Sequence, residues 1–429
     1  MKIEILNGQR LTSNGQWEQF DNIRIENGHI LSIDSGDSNF VPERIIDAKG
    51  CLVAPGLIDL SVSLREPGAN VNGTIDTETA AAAKGGFTVV CSTPDSSPIN
   101  DSKAVTKLIL ELSKRENNCR VYPLGALTKS LKGEQLSEYA SLKDAGCIAL
   151  SNAFNPLQSL IVTQRCFEYA KTQDLCVFVN PMEPSLHQGA IHEGKVSTIV
   201  GLQGIPHTAE TIAVAQLIQL AEATGVRLHL SQLSCAGSVQ QIQQAKNTGI
   251  NVTADVAIQN LLYTDQTTES FDGLFHCQPP LREEYDRLAL IAGIKNGAID
   301  VITSAHRPCE AAAKLMPFAE TAPGMSTIEL VLPFAQQLAK HSDLPLSTFI
   351  KSMTSNAAAI LDLPNPTVER GAIADLVIFD PNIEFTLAAE NLISKGKNSP
   401  YLGQELIGAV RTTMNQGRIS YSLNPESLT

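Results

Sequence analysis

The sequence predicts an α/β fold, a (β/α)8 TIM barrel with a small composite β-sandwich domain, and three observations lead there. Apolar strand candidates alternate with helical patterns through the middle of the chain, the signature of a parallel α/β architecture. Eight such strands can be counted, which is the number a closed barrel requires. Short alternating segments separated by turn formers stand at both ends of the chain, so two β pieces bracket the barrel.

In order, residues 1–52 form the first β piece. Lys2–Leu6, Asn22–Glu26 and His29–Ile33 alternate apolar with polar residues, and Asn14-Gly15 and Asn27-Gly28 mark turns. Residues 53–364 form the barrel, with strands at Leu57–Leu64, Phe87–Cys91, Arg120–Leu127, Cys147–Leu150, Cys176–Val179, Val226–Leu230, Asn251–Asp255 and Val301–Thr303. Helices are expected at Asp76–Lys84, Ser102–Lys114, Glu134–Asp144, Thr163–Thr172, Ala209–Thr224 and Ser238–Thr248; Gly85, Gly225 and Gly249 supply C-terminal stops. Residues 365–429 return to β structure: Ala374–Phe379, then Val410–Asn415 and Arg418–Tyr421 around the hairpin signal Gln416-Gly417. A doubly wound open sheet would give similar alternation, but no G-x-G-x-x-G follows any strand.

Composition narrows the function classes. The 429 residues are 43% hydrophobic and 18% charged, as in soluble globular proteins. A formal charge of −13 argues against nucleic-acid or anionic-membrane partners, which need a basic footprint. Nine scattered cysteines, never in C-x-x-C, point to reduced thiols in the core of a cytoplasmic protein. The opening M-K-I-E-I-L has no apolar targeting region behind it, and no stretch of about 18 apolar residues occurs.

The stretch Ala54–Gly68 reads A-P-G-L-I-D-L-S-V-S-L-R-E-P-G, a buried strand ending in a polar tip. It resembles the dihydroorotase signature P-G-x-I-D-x-H-x-H-x-R-x-P-G of the amidohydrolase superfamily, with Ser61 and Ser63 where the resemblance places histidines. Imidazoles at i and i+2 share one side of a strand and can chelate a divalent ion, which two neutral serines cannot do.

The resemblance continues from one strand end to the next. Pro94-Asp95-Ser96-Ser97-Pro98 stands for P-N-T-x-P, and Ser151-Asn152-Ala153-Phe154 for S-D-D-G. Asn180-Pro181-Met182-Glu183 stands for H-x-E-D, and His229-Leu230-Ser231-Gln232 for H-x-x-H. Gln278-Pro279-Pro280-Leu281-Arg282 stands for N-P-P-L-R. Ser304-Ala305-His306-Arg307-Pro308-Cys309 stands for T-D-H-A-P-H.

The resemblance implies that Ser61, Ser63, Asn152, Asn180, Gln232 and Ala305 occupy the ligand and general-base positions, so no metal or other cofactor and no catalytic residue is expected. Metal-activated hydroxide and a proton-shuttling carboxylate are what the family reaction needs. Arg65, Asp95, Gln278 and Cys309 stand at substrate-binding positions. Arg65 is suited to a carboxylate, or to an ion pair with Glu66 or a nearby aspartate.

His306, Cys309, His229, Cys235 and His192 read as core or supporting residues, and Glu66 and Glu183 as solvated ones. Such a chain looks like the inactive dihydroorotase homologues that accompany certain aspartate carbamoyltransferases. The implied role is a non-catalytic chain of a pyrimidine-biosynthesis complex, in an assembly of six copies of each chain, with self-association also open. Barrel-mouth loops and the segment Glu183–Glu210 are the contact candidates. A divergent cyclic-amide hydrolase, or a carboxylate-sensing module built on Arg65, are the competing readings.

Overall fold

A computed structural model describes residues 1–34, 36 and 39–424. Its centre is an eight-stranded parallel sheet of Leu57–Val62, Phe87–Ser92, Arg120–Ala126, Ala149–Ser151, Cys176–Val179, Leu228–Leu230, Val252–Ala257 and Val301–Thr303. Each strand pairs with its neighbour in sequence. The first and last strands meet where Val62 bridges His306 and Ser63 N–H donates to the His306 carbonyl at 3.0 Å, which closes the barrel. Apolar runs buried on both faces explain why these strands read continuously hydrophobic. Inside, Ile58, Leu60, Val89, Leu124 and Phe178 pack together, and the short helix Ser355–Ile360 plugs the bottom with Ala357 and Ala358.

The β domain has two sheets. One holds Lys2–Leu6, Asn22–Glu26, His29–Ile33 and Arg44–Asp47; all four strands come from the N-terminal segment. The other is composite: Gln9–Leu11, Trp17–Gln19 and Leu52–Pro55 join Leu376–Thr386, Glu405–Asn415 and Arg418–Ser422. Alternation along Leu376–Phe379 explains the layering. Leu376 and Ile378 face the N-terminal sheet, and Val377 and Phe379 face the barrel's helices. Arg120, at the start of barrel strand three, ties the two units through Asp375 and Asn415 Oδ1, the latter at 3.1 Å.

Leu52–Pro55 pairs with Leu376–Phe379, so the barrel begins at Leu57 and the strand at residue 53 belongs to the β domain. The helix expected over Glu134–Asp144 is only Tyr139–Ala145. Residues before it return to the preceding strand end, with Ser137 N–H donating to the Leu127 carbonyl at 3.1 Å. Segment Glu183–Glu210 folds into paired Ile191–His192 and Gly204–Ile205 around the helix Lys195–Val200. Glu210 is buried there, not a contact candidate. All nine cysteines are buried and unpaired. Among the described residues no helix is long and apolar enough to cross a membrane.

Candidate functional site

Strand ends one, five and six bring Ser61, Asn180 and Gln232 together around a cavity of about 20 Å³, also lined by Leu60, Thr93 and Phe154. That volume is on the scale of one water. Gln232 Nε2 donates to Ser61 Oγ at 3.0 Å, so a hydrogen bond spans the mouth. Asn180 Nδ2 donates to the Ser231 carbonyl at 3.2 Å. Gln232 Oε1 is buried with no donor among the described residues.

The other three predicted ligand positions do not line this cavity. Ser63 is buried with Oγ 3.2 Å from Thr93 Oγ1. Asn152 points into its own loop: Oδ1 accepts from Thr128 Oγ1 at 2.7 Å, and Nδ2 donates to the Asn155 carbonyl at 2.8 Å. Ala305 offers no donor atom, and its φ of +48° is a backbone conformation that costs an alanine roughly 1 kcal/mol or more.

The donor set does not fit a divalent ion. No imidazole and no carboxylate lines the cavity. Asp59, directly below, is fully buried, and its oxygens accept from the backbone N–H of Ser61 at 3.0 Å and of Ser304 at 3.2 Å. Burial pushes this carboxyl up to about 6, against hydrogen bonds from Ser304 and Ser61.

Two buried histidine pairs brace the barrel under the mouth. His229 Nε2 lies 2.9 Å from Asp255 Oδ2, and Asp255 Oδ1 also accepts from Gln232 N–H at 2.9 Å and Thr303 Oγ1 at 3.1 Å. His306 Nδ1 accepts from Thr327 N–H at 3.1 Å, so its proton sits on Nε2, which donates to Glu78 Oε2 at 2.8 Å. Burial pushes the Glu78 carboxyl up. Hydrogen bonds from His306, Ser394 and Thr77 outweigh it and hold the group below the usual range.

Sequence reading placed both histidines in the core but did not find their carboxylates. Nor did it bring together His207 with Cys235 and Asp286, or His192 with Asp265 and Glu283, as the structure does. His207 Nε2 and Asp286 Oδ2 are 2.8 Å apart, a hydrogen-bond distance shorter than the roughly 3.3 Å between two ligands on a tetrahedral ion. His192 Nδ1 accepts from Arg282 Nη1 at 3.0 Å, which leaves the proton on Nε2. Burial, then Arg282, pushes His192 down to about 4. In the first cluster the histidine and aspartate are hydrogen-bonded to each other; in the second His192 is hydrogen-bonded to Arg282.

A family model described as dihydro-orotase-like matches residues 50–238. A dihydroorotase-like protein of Pseudomonas putida is 42% identical across 98% of this chain and 99% of its own length. The chain belongs to the dihydroorotase-like family. A dihydroorotase of Syntrophotalea carbinolica is 39% identical over 99% of this chain and 100% of its own length. In fold, the chain is similar to the L-hydantoinase (dihydropyrimidinase) of Arthrobacter aurescens, with TM-score 0.87, 21% identity and coverage of 98% and 96%. The barrel is thus of the amidohydrolase type.

The dihydroorotase-like substrate positions each have local partners. Arg65, at φ +64°, donates from Nε to the Pro308 carbonyl at 2.9 Å, and not to Glu66. Glu66 instead accepts from Ile75 N–H at 2.8 Å and Asn70 Nδ2 at 3.2 Å, fixing the start of helix Ile75–Lys84. Glu183 accepts from Ser185 Oγ at 2.8 Å. Gln278 Nε2 turns to Met182 Sδ at 3.7 Å. Cys309 is buried, its N–H held by Asn398 Oδ1 at 2.9 Å. Asp95 accepts from Thr93 Oγ1.

Arg307 was overlooked. Its guanidinium carbon lies 4.0 Å from the centre of the Phe154 ring, roofing the mouth. The signal available was an arginine inside the strand-eight motif where the family pattern has alanine.

Proposed function

We propose that this chain is a catalytically silent dihydroorotase homologue that acts by shape: a cytoplasmic structural subunit that assembles with aspartate carbamoyltransferase in pyrimidine biosynthesis, six copies of each. What supports the silent site is one observation, the Gln232 to Ser61 hydrogen bond across a mouth with neutral lining. A hydroxyl and a carboxamide hydrogen-bonded to each other have no charge to hold a cation and no base to move a proton. With turnover set aside, retention of a complete, closed barrel favours a role in association.

Co-expression with the same organism's aspartate carbamoyltransferase tests the partner. One large species containing both chains in equal numbers, and transferase activity that falls when this chain is withheld, are expected. Two separate peaks at micromolar concentration would refute the assembly. Conversion of carbamoyl aspartate to dihydroorotate by the purified chain would refute the silent site.

A further inference from the structure

Helix Thr208–Thr224 lies on the outside of the barrel, yet it is apolar all round. Ala213, Val214 and Leu217 face inward, while Ile212, Ala215 and Ala223 look outward. Of its two carboxylates Glu210 is buried and accepts from Ser234 N–H at 3.0 Å, so Glu222 is its one exposed charge. Helix Lys103–Glu116, by contrast, presents Lys103, Lys107, Glu111, Lys114, Arg115 and Glu116 to solvent. A helix apolar on every side is expected to be covered on every side. Between Thr208–Thr224 and the neighbouring helix Leu160–Thr172 runs a groove enclosing about 400 Å³, with Leu157, Leu160, Met182, Ala213, Gln216 and Leu217 in its walls. The one charged residue lining it, Glu183, accepts from Ser185 Oγ. Beside the groove Leu160 and Ile161 are 52% and 56% exposed, and Ile212 is 39% exposed.

What covers this face follows from charge and shape. A chain of formal charge −13 repels its own copies over most of its surface. Here that repulsion is weak, because the charges around the groove, Arg165, Lys171, Glu168, Glu183 and Glu222, nearly cancel. A knob, Ile161, and a hole, the groove, also stand side by side. A two-fold contact needs both on one patch, since each copy's knob enters the other's hole. We propose that helices Leu160–Thr172 and Thr208–Thr224 form an interface between two copies of this chain, with Ile161 of each copy seated in the groove of the other and Ile212 packed alongside. Two helices about 20 and 25 Å long and about 10 Å apart present a face of roughly 500 Å². A standard stable interface takes roughly 800 Å² per partner, so this pair exchanges with single chains in the micromolar range. The contact goes beyond the transferase reading and does not rest on it: it belongs to the isolated chain.

Sedimentation equilibrium of the purified full-length chain, from about 1 to 100 µM, tests this directly. The mass is expected to climb from that of one chain to that of two across the range. Ile161→Glu and Ile212→Glu each put a carboxylate into the contact twice, once per copy, and should weaken pairing at least about a hundredfold. Leu108→Glu, at a position 41% exposed on helix Lys103–Glu116, should leave pairing unchanged. At about 1 µM, where the wild type is a single chain, the melting temperatures of all three variants should match it within about 2 °C, as expected for exposed positions. One-chain mass at every concentration would overturn the interface. So would pairing that survives in folded Ile161→Glu and Ile212→Glu, or that Leu108→Glu disrupts equally. Assembly with the transferase is read separately on the co-expressed chains, so failure of one does not imply failure of the other.

Discussion

The barrel mouth and the layer just beneath it treat charge in opposite ways. At the mouth, Ser61, Asn180 and Gln232 are neutral and hydrogen-bond to one another or to backbone. One layer down, Asp255 and Glu78 are fully buried, and each is matched to a histidine and to further donors. Buried charge persists where its hydrogen-bond partners are built into the fold, and it is missing where the partner would have to be an ion.

The largest effect expected from this contrast is at Glu78. It accepts from His306 Nε2 at 2.8 Å, Ser394 Oγ at 2.7 Å and Lys395 N–H at 3.1 Å, joining helix Ile75–Lys84 to both strand eight and the C-terminal segment. Glu78→Ala leaves those donors buried and should lower stability by about 3–5 kcal/mol in urea unfolding. A loss under about 1 kcal/mol would break the contrast.

Next is a pH effect of opposite sign at two carboxylates. Asp59 sits near 6 when folded against 3.8 when free, so the folded state binds more protons between those values. Its contribution should therefore fall by roughly 3 kcal/mol as pH rises from about 4 to 6. Glu78 lies below its ordinary value when folded. Its contribution is complete above 4.5 and disappears as pH falls through the folded value. Urea unfolding across pH 3–8 should flatten between pH 4 and 6 in Asp59→Asn, relative to the wild type. An unchanged profile would mean Asp59 is not the group responsible.

The smallest effect should be at the mouth itself. Ser61→Ala removes one side-chain hydrogen bond to Gln232 and should cost about 1 kcal/mol, since Gln232 N–H remains held by Asp255. A loss several times larger would make the mouth a structural keystone and erase the distinction between layers.

Much of the barrel was legible because its strands are short apolar runs buried on both faces; Cys176–Val179 and Val301–Thr303 coincide with the expected bounds. The helices Ile258–Leu262, Leu346–Ser352 and Ser355–Ile360 are too short for periodicity to separate them from loops, but Glu284–Asn296 and Val331–His341 are three turns or more and were also not expected. Leu376–Thr386 runs beyond the expected strand because its far half is an exposed hairpin arm with alternating polar residues. At the site, the motif positions identified which residues were neutral but not where each points. Asn152 follows a strand end as expected, yet it turns into its own loop, next to Ala153 at φ +48°. His306 and Glu78 are 228 residues apart, so nothing local joins them. Arg307 was visible in the motif and lacked only the ring beneath it to draw notice.

The most direct measurement is metal stoichiometry after dialysis of the purified chain against zinc and then against buffer, in the wild type and in Ser61→Ala and Gln232→Ala. The account predicts no ion whose retention depends on Ser61 or Gln232. One zinc per chain in the wild type, lost in both variants, would contradict it.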